Sequence, residues 1–223
     1  YTLWTSPDES LPLEARLIFD TGQRKEGFLS LYLYHEGQMI YHFNFRFDYN
    51  VDGTPSVYIG TIQGSKHGLE TTKVLTKKLF GYRPKNFILY LMRIFVQTLG
   101  IHDIYVITDE GFYTNSHMLR GNRSKKTNFN EFWIGEGAAP DGKEPWYYHL
   151  PIEERRRKYG EIKSQKRNLF RKRYLLMDTI IPPYIAAIKA LFRQGFDPVP
   201  SAIDEASITD KPADYDPIEA PAK

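Results

Sequence analysis

Between Phe28 and Ile62 the chain alternates. Along residues 39–49, Ile40, His42, Asn44 and Arg46 fall on one side and Tyr41, Phe43, Phe45 and Phe47 on the other. That period of two predicts a β-strand with its aromatic face toward a core. Residues 28–34 read as the strand before it, across a turn at His35-Glu36-Gly37-Gln38. Asp52-Gly53 is a strong hairpin signal, so residues 57–62 become the third strand of an antiparallel meander. An earlier strand is expected at 14–19. After Gly64 the spacing lengthens: Leu69, Val74, Leu75 and Leu79 share roughly one helical face. Pro84 suits the first turn of a second helix that runs to Leu99 and stops at Gly100. Residues 103–108 form a β-rich run that joins the sheet after a helical crossover, and 146–150 a further strand ended by Pro151. Residues 111–130 are polar and basic, a loop with a helical start. Residues 153–177 read as a basic helix or helix pair, punctuated by Pro182-Pro183, with a separate apolar helix at 184–192. The expected fold class is α/β of the α+β kind: a mixed, mostly antiparallel sheet flanked by helices.

Hydrophobic residues make up 41% of the 223 positions and aromatic ones 15%, enough for one sizeable core. Residues 1–196 are therefore expected to form a single domain. Residues 197–223, rich in Pro and Ala with seven acids against two lysines, are expected to be a disordered tail. A first residue of Tyr reads as a processed or trimmed N-terminus. With no cysteine, disulfides, thiolate nucleophiles and Cys-based zinc sites are excluded. The six histidines show no metal-ligand spacing, so no metal is expected. The longest apolar run, 87–96, is interrupted by Arg93 and too short to cross a bilayer. No transmembrane segment is expected, and the reading is a cytoplasmic protein, or one peripheral at the inner membrane.

The net charge of +3 hides a strong asymmetry: residues 155–173 carry ten Lys/Arg against one acid, Glu161. On a helix, Lys163, Lys166, Arg167 and Arg171 share one face, with Leu169, Phe170 and Tyr174 near the other. Such a face suits phosphate, whether of nucleic acid, anionic lipid, a nucleotide-bearing ligand or the acidic surface of a carrier protein; the alternative is a solvated face or one covered by the acidic tail. Arg83, beside Pro84 and Lys85, is either an anion contact at a helix N-terminus or part of a proline-defined helix start. The loop Gln63, Gly64, Ser65, Lys66, His67, Gly68 presents backbone N–H groups at a helix start, a phosphate cradle, or else a tight turn. His117, with Asp109 or Glu110 after the 103–108 strand, is placed for general-base work, or is a surface histidine in a basic loop.

Four phrases carry a resemblance: Tyr58-Ile59-Gly60-Thr61-Ile62-Gln63-Gly64, Leu79-Phe80-Gly81-Tyr82-Arg83-Pro84-Lys85, Phe132-Trp133, and Ser164-Gln165-Lys166-Arg167 with Phe170-Arg171-Lys172-Arg173-Tyr174. Their order and spacing, from about Leu33 to Asp178, resemble the VirK/YbjX family of Gram-negative bacteria. The resemblance implies a role in virulence and envelope stress, including resistance to cationic peptides. The order of elements separately resembles the GNAT acyltransferase core, in which the strand before the central helix splays from its neighbour to admit the donor's pantetheine arm. That analogy implies an acyl-CoA or acyl carrier protein donor held at Gln63, Gly64, Ser65, Lys66 and Gly68. It also implies transfer to an amine or hydroxyl with His117 as base and Asp109 as its partner. Toxin-activating lysine acyltransferases, which share a GNAT-like core, pair a histidine with an acid in this way. Two departures stand out: Gly64 comes too early for the Gln/Arg-x-x-Gly-x-Gly/Ala spacing, and a helix at 69–79 is extra. The competing reading is a non-enzymatic adaptor or regulator that holds nucleic acid or anionic membrane through the basic helix.

Overall fold

The computed structural model describes residues 1–21, 26–66, 68–112 and 128–193. Eight strands form one sheet: β1 (Thr2–Thr5), β2 (Leu13–Phe19), β3 (Leu29–His35), β4 (Gln38–Tyr49), β5 (Pro55–Gly64), β6 (Asp103–Ile107), β7 (Ala139–Pro140) and β8 (Tyr147–Leu150). Four helices accompany them: α1 (Leu69–Lys78), α2 (Pro84–Thr98), α3 (Phe129–Gly135) and α4 (Arg167–Arg193). The sheet order is β1-β2-β3-β4-β5-β6-β8-β7. Every neighbour is antiparallel except β5 and β6, which are parallel because α1 and α2 carry the chain back between them. The mixed, mostly antiparallel sheet is thus the one the alternation predicts.

The hairpin joining β4 and β5 closes as its sequence dictates. Asn50 Oδ1 accepts from the amides of Asp52 (3.0 Å) and Thr54 (2.9 Å), and Gly53 takes a φ of 77°. Farther along the same pair a bulge falls between Asn44 and Phe45, opposite Thr61 and Ile59. Gly60 sits in it for a steric reason. The chain entering β3 crosses there, and a Cβ on Gly60 would lie 2.1 Å from the carbonyl oxygen of Glu26.

The core lies between one sheet face and the helices. Phe43 and Phe45 of β4 point into it, with Phe43 against Trp133 of α3 and Phe45 against Phe95 of α2. Every residue of α2 from Phe87 to Val96 is buried, including Arg93. Met177, Ile180, Tyr184 and Ile188 of α4 close the core, and α4 contacts α2 and β1. By length and composition alone the helical stretch Ser164–Leu191 is apolar enough to cross a membrane; in this fold those four residues lie in the core.

The C-terminal half departs from its sequence reading. Pro182 and Pro183 do not end a helix but lie inside α4. Each proline removes a backbone donor at a cost of roughly 3 kcal/mol, and burial of Ile180, Tyr184 and Ile188 on one side carries the helix through. Residues 153–163 are not helical apart from a short 3-10 turn at Tyr159–Glu161, so the basic run is split between an extended stretch and the start of α4. Strand β1 and helix α3 have no counterpart in the sequence reading. The signal for α3 was present: Asn128 caps it by accepting from Glu131 N–H at 2.9 Å. The tail at 197–223 lies outside the described residues.

Candidate functional site

A pocket of about 750 Å³ opens where the N-terminus of α2, the C-terminal end of α3, the 154–161 stretch and the start of α4 meet. Its size suits a small-molecule ligand. Five arginines (Arg83, Arg93, Arg155, Arg157, Arg173) and three glutamates (Glu136, Glu154, Glu161) line it, with Tyr82, Phe170 and Tyr174. The excess of arginine selects for an anion.

The α1–α2 connection sets the mouth. Phe80 and Gly81 adopt φ of 53° and 75°, turning the chain so that Tyr82 enters the pocket. Arg173 of α4 fixes that turn, donating from Nε (3.2 Å) and Nη2 (2.9 Å) to the Phe80 carbonyl. Arg83 then occupies the N-cap position of α2 with no side-chain cap, and Pro84 follows. The amides of Lys85 and Asn86 have no acceptor within the helix, because the first intrahelical bond runs from Phe87 N–H to Arg83 O. The N-terminus of α2, with Arg83 and Asn86 in the lining, therefore adds its dipole to the arginines.

The floor is a buried ionic network. Arg93, 3% exposed, donates to the carbonyls of Pro151 and Glu136, both at 3.1 Å, and its Nη1 lies 3.6 Å from Glu136 Oε2. Asn86 also donates to Glu136, and the Tyr82 hydroxyl to Glu154. Burial pushes the Glu136 carboxyl above its ordinary value against the pull of Arg93 and Asn86. Burial does the same to Glu154 against the Tyr82 hydrogen bond and Arg93.

Beside this network Lys85 lies over the Phe132 ring, 3.7 Å from its centroid, and burial lowers its pKa to about 8, opposed by Glu136 and Glu131. An amine with this pKa is half neutral near pH 8, where an ordinary lysine is less than about 1% neutral. Competitive amine labelling followed by peptide mass spectrometry should find Lys85 titrating near 8; a midpoint above 10 would contradict the burial argument.

A second feature is the end of the parallel pair. β5 and β6 are hydrogen-bonded only from Ser56/Asp103 to Ile59/Val106, while β5 continues to Gly64 against β4 alone. Beyond Ile59 the β6 side of β5 is left unpaired because β6 itself ends at Ile107, and this leaves an opening at that edge.

Of the residues the sequence singled out, Arg83 lies at the pocket mouth. Lys163, Lys166 and Arg171 are exposed outside the lining. Arg167 Nε donates to Ile162 O at 3.2 Å, and Arg171 Nη2 to Asn168 Oδ1 at 3.1 Å. From the basic run it is Arg155, Arg157 and Arg173 that line the pocket instead. Gln63 and Gly64 remain in β5 opposite His42 and Tyr41. The Ser65 amide is bonded to Ile40 O and the Gly68 amide to Ser65 O, and Lys66 is exposed. These five are not in the pocket lining. Asp109 accepts from Phe129 N–H at 2.8 Å, tying the end of β6 to α3. His67, His117 and the loop around it lie outside the described residues. Among the described residues no group of three or more His, Asp or Glu is placed to hold a metal ion. Tyr82, Asn86, Arg93, Glu136 and Glu154 were missed. Arg93 was the available signal, since a lone charge in an apolar helix face demands a buried partner.

The phrases 79–85 and 164–174 of the sequence reading meet in this pocket, one through Tyr82 and Arg83 and the other through Phe170, Arg173 and Tyr174. The family model described as "Protein of unknown function (DUF535)" matches residues 1–183. The protein "Uncharacterized protein YbjX" of Escherichia coli K12 is 29% identical over 133 residues, covering 58% of this chain and 40% of the relative. An "Uncharacterized protein" of Haemophilus influenzae Rd is 28% identical over 186 residues, covering 80% of this chain and 60% of the relative. The chain thus spans less than two thirds of either relative's length.

Proposed function

This chain belongs to the DUF535 family, the VirK/YbjX group its phrases resemble, and from that premise we propose that it is a GNAT-like acyltransferase. It takes an acyl thioester whose carrier bears phosphate, acyl-CoA or acyl carrier protein, and transfers the acyl group to an amine or hydroxyl. One observation carries the reading. The parallel pair β5–β6, spanned by the crossover helix α2, stops pairing at Ile59/Val106, and the N-terminus of that same helix opens into the arginine pocket. In the GNAT arrangement the donor's arm enters between the two parallel strands and its phosphates rest at the crossover helix. Here Arg83, Arg155, Arg157 and Arg173 supply the cations, and the amides of Lys85 and Asn86 the dipole end. On this reading the donor phosphates rest at the start of α2 rather than at Gln63–Gly68. The setting is the cytoplasm, in the virulence and envelope-stress context the family resemblance implies.

A second reading rests on the outer side of α4. Lys163, Lys166, Arg171 and Lys172 are exposed there together with Leu169 and Leu175, a surface suited to anionic membrane or nucleic acid in an adaptor. Isothermal titration separates the two. Coenzyme A binding in the micromolar range supports the acyltransferase reading. Absence of coenzyme A and acyl carrier protein binding, with salt-dependent pelleting on phosphatidylglycerol vesicles or a salt-dependent nucleic-acid gel shift, replaces it with the adaptor.

A further inference from the structure

The sheet face turned away from the core carries a polar group that the pocket does not use. His42 and Asn44 alternate with Phe43 and Phe45 along β4, so they point away from α2. Tyr32 and Ser30 lie beside them on β3, and Gln63 and Thr61 on β5. A polar face of this kind is ordinarily wet, yet His42 is 4% exposed and Asn44 and Thr61 are fully buried. Asn44 Nδ2 donates to Ser30 Oγ at 2.5 Å. Asn44 also approaches the His42 ring as a side-chain hydrogen-bond partner, but no bond of good geometry reaches Asn44 Oδ1, Thr61 Oγ1 or either ring nitrogen of His42. The imidazole is held flat against Tyr32, ring centroids 4.9 Å apart, and Tyr32 is itself anchored by donating to Asp20 at 2.6 Å.

Leaving a buried polar atom unpaired costs about 1–3 kcal/mol, and here several sit together on adjacent strands. Such a cluster is retained where a ligand supplies the missing partners. Its location says which ligand. Thr61 stands two residues past Ile59, the last β5 residue paired with β6, so the cluster borders the opening assigned to the donor's arm.

We propose that His42, Asn44 and Thr61 form the acceptor half of the site, binding the amine or hydroxyl of the acyl acceptor, with His42 as the base that takes its proton. The inference rests on the donor reading above. In the step it describes, the acceptor's nitrogen or oxygen lone pair attacks the thioester carbonyl carbon. A C–N or C–O bond forms, the C–S bond breaks and the thiolate leaves. The acceptor's proton passes to a ring nitrogen of His42 and from there to the departing sulfur. A base must be neutral to act, and burial keeps His42 below the ordinary histidine value, opposed by the charge of Asp20 and by Asn44. Asn44 Oδ1 and Thr61 Oγ1 orient the nucleophile.

Two variants test this. Thiol release from acetyl-CoA, with hydroxylamine, ethanolamine and Nα-acetyl-lysine as acceptors, should fall at least about 100-fold in His42→Gln, the scale of general-base catalysis, with coenzyme A affinity unchanged. Thr61→Val replaces an unpaired hydroxyl by a methyl of equal size, and should raise Tm by about 2–4 °C while slowing release. Equal release by His42→Gln, no release by the unmodified protein when coenzyme A binds, or a lowered Tm in Thr61→Val overturns the inference and leaves the donor reading standing. Failure of the unmodified protein to bind coenzyme A or acyl carrier protein overturns the donor reading, and the inference with it.

Discussion

Arg93→Met should cost the protein about 3–5 kcal/mol of stability, the scale of a buried ion pair broken from one side. The guanidinium is almost wholly buried and fixes two backbone carbonyls, those of Pro151 and Glu136, from the middle of α2. Its loss leaves those carbonyls short of a donor and strands the Glu136 carboxylate. Adding Glu136→Gln to the same chain should restore part of the loss, because an amide in place of a carboxylate no longer needs the cation. The deficit should also depend on pH with a definite sign. Burial already raises the Glu136 pKa against the pull of Arg93, and removing Arg93 raises it further. The single variant should therefore approach the unmodified protein in acid and fall away as pH rises through that value. Urea unfolding at several pH values reads all three effects; a loss under about 1 kcal/mol would mean that Arg93 reaches solvent.

The second large effect is on binding. Arg83→Ala combined with Arg157→Ala should weaken coenzyme A roughly hundredfold or more, since each charge-assisted hydrogen bond to phosphate is worth about 1.5–3 kcal/mol. Both side chains are exposed at the pocket, and exposed charges contribute little to folding, so Tm should barely move. Arg173→Ala should behave differently and lower Tm as well, because Arg173 also holds the Phe80 carbonyl. Affinity should fall with added salt, and less steeply in the double variant. Unchanged affinity with an unchanged salt slope would place the anion elsewhere.

Much of the fold was legible because it is local. Alternation along 39–49 and the Asp-Gly turn give β4, its hairpin and β5 within two residues at either end. Pro84 and Gly100 bracket α2 for reasons of backbone chemistry alone. What was not legible depends on distant packing. Nothing near Pro182-Pro183 announces that Tyr184 and Ile188 will be held in a core that carries the helix through, nor that a short β1 will pair with β2. The candidate site was half legible. The density of positive charge at 155–173 pointed to an anion, but a helical projection grouped Lys163, Lys166, Arg167 and Arg171. In three dimensions the extended stretch brings Arg155 and Arg157 to Arg83 and Arg173. Of the cluster of His42, Asn44 and Thr61, the first two were placed on the polar face of β4 by the alternation, while Thr61 was assigned no face. The cluster's burial, which gives it interest, cannot be read from a period of two.

The most direct measurement is a crystal structure of the protein with coenzyme A bound. Phosphate oxygens should lie within hydrogen-bond reach of the Lys85 and Asn86 amides and of Arg83 or Arg157, with the sulfur in the opening beyond Ile59 and Val106. A coenzyme lying instead along the Gln63–Gly68 loop or on the outer basic side of α4, with the arginine pocket empty, would contradict the donor reading.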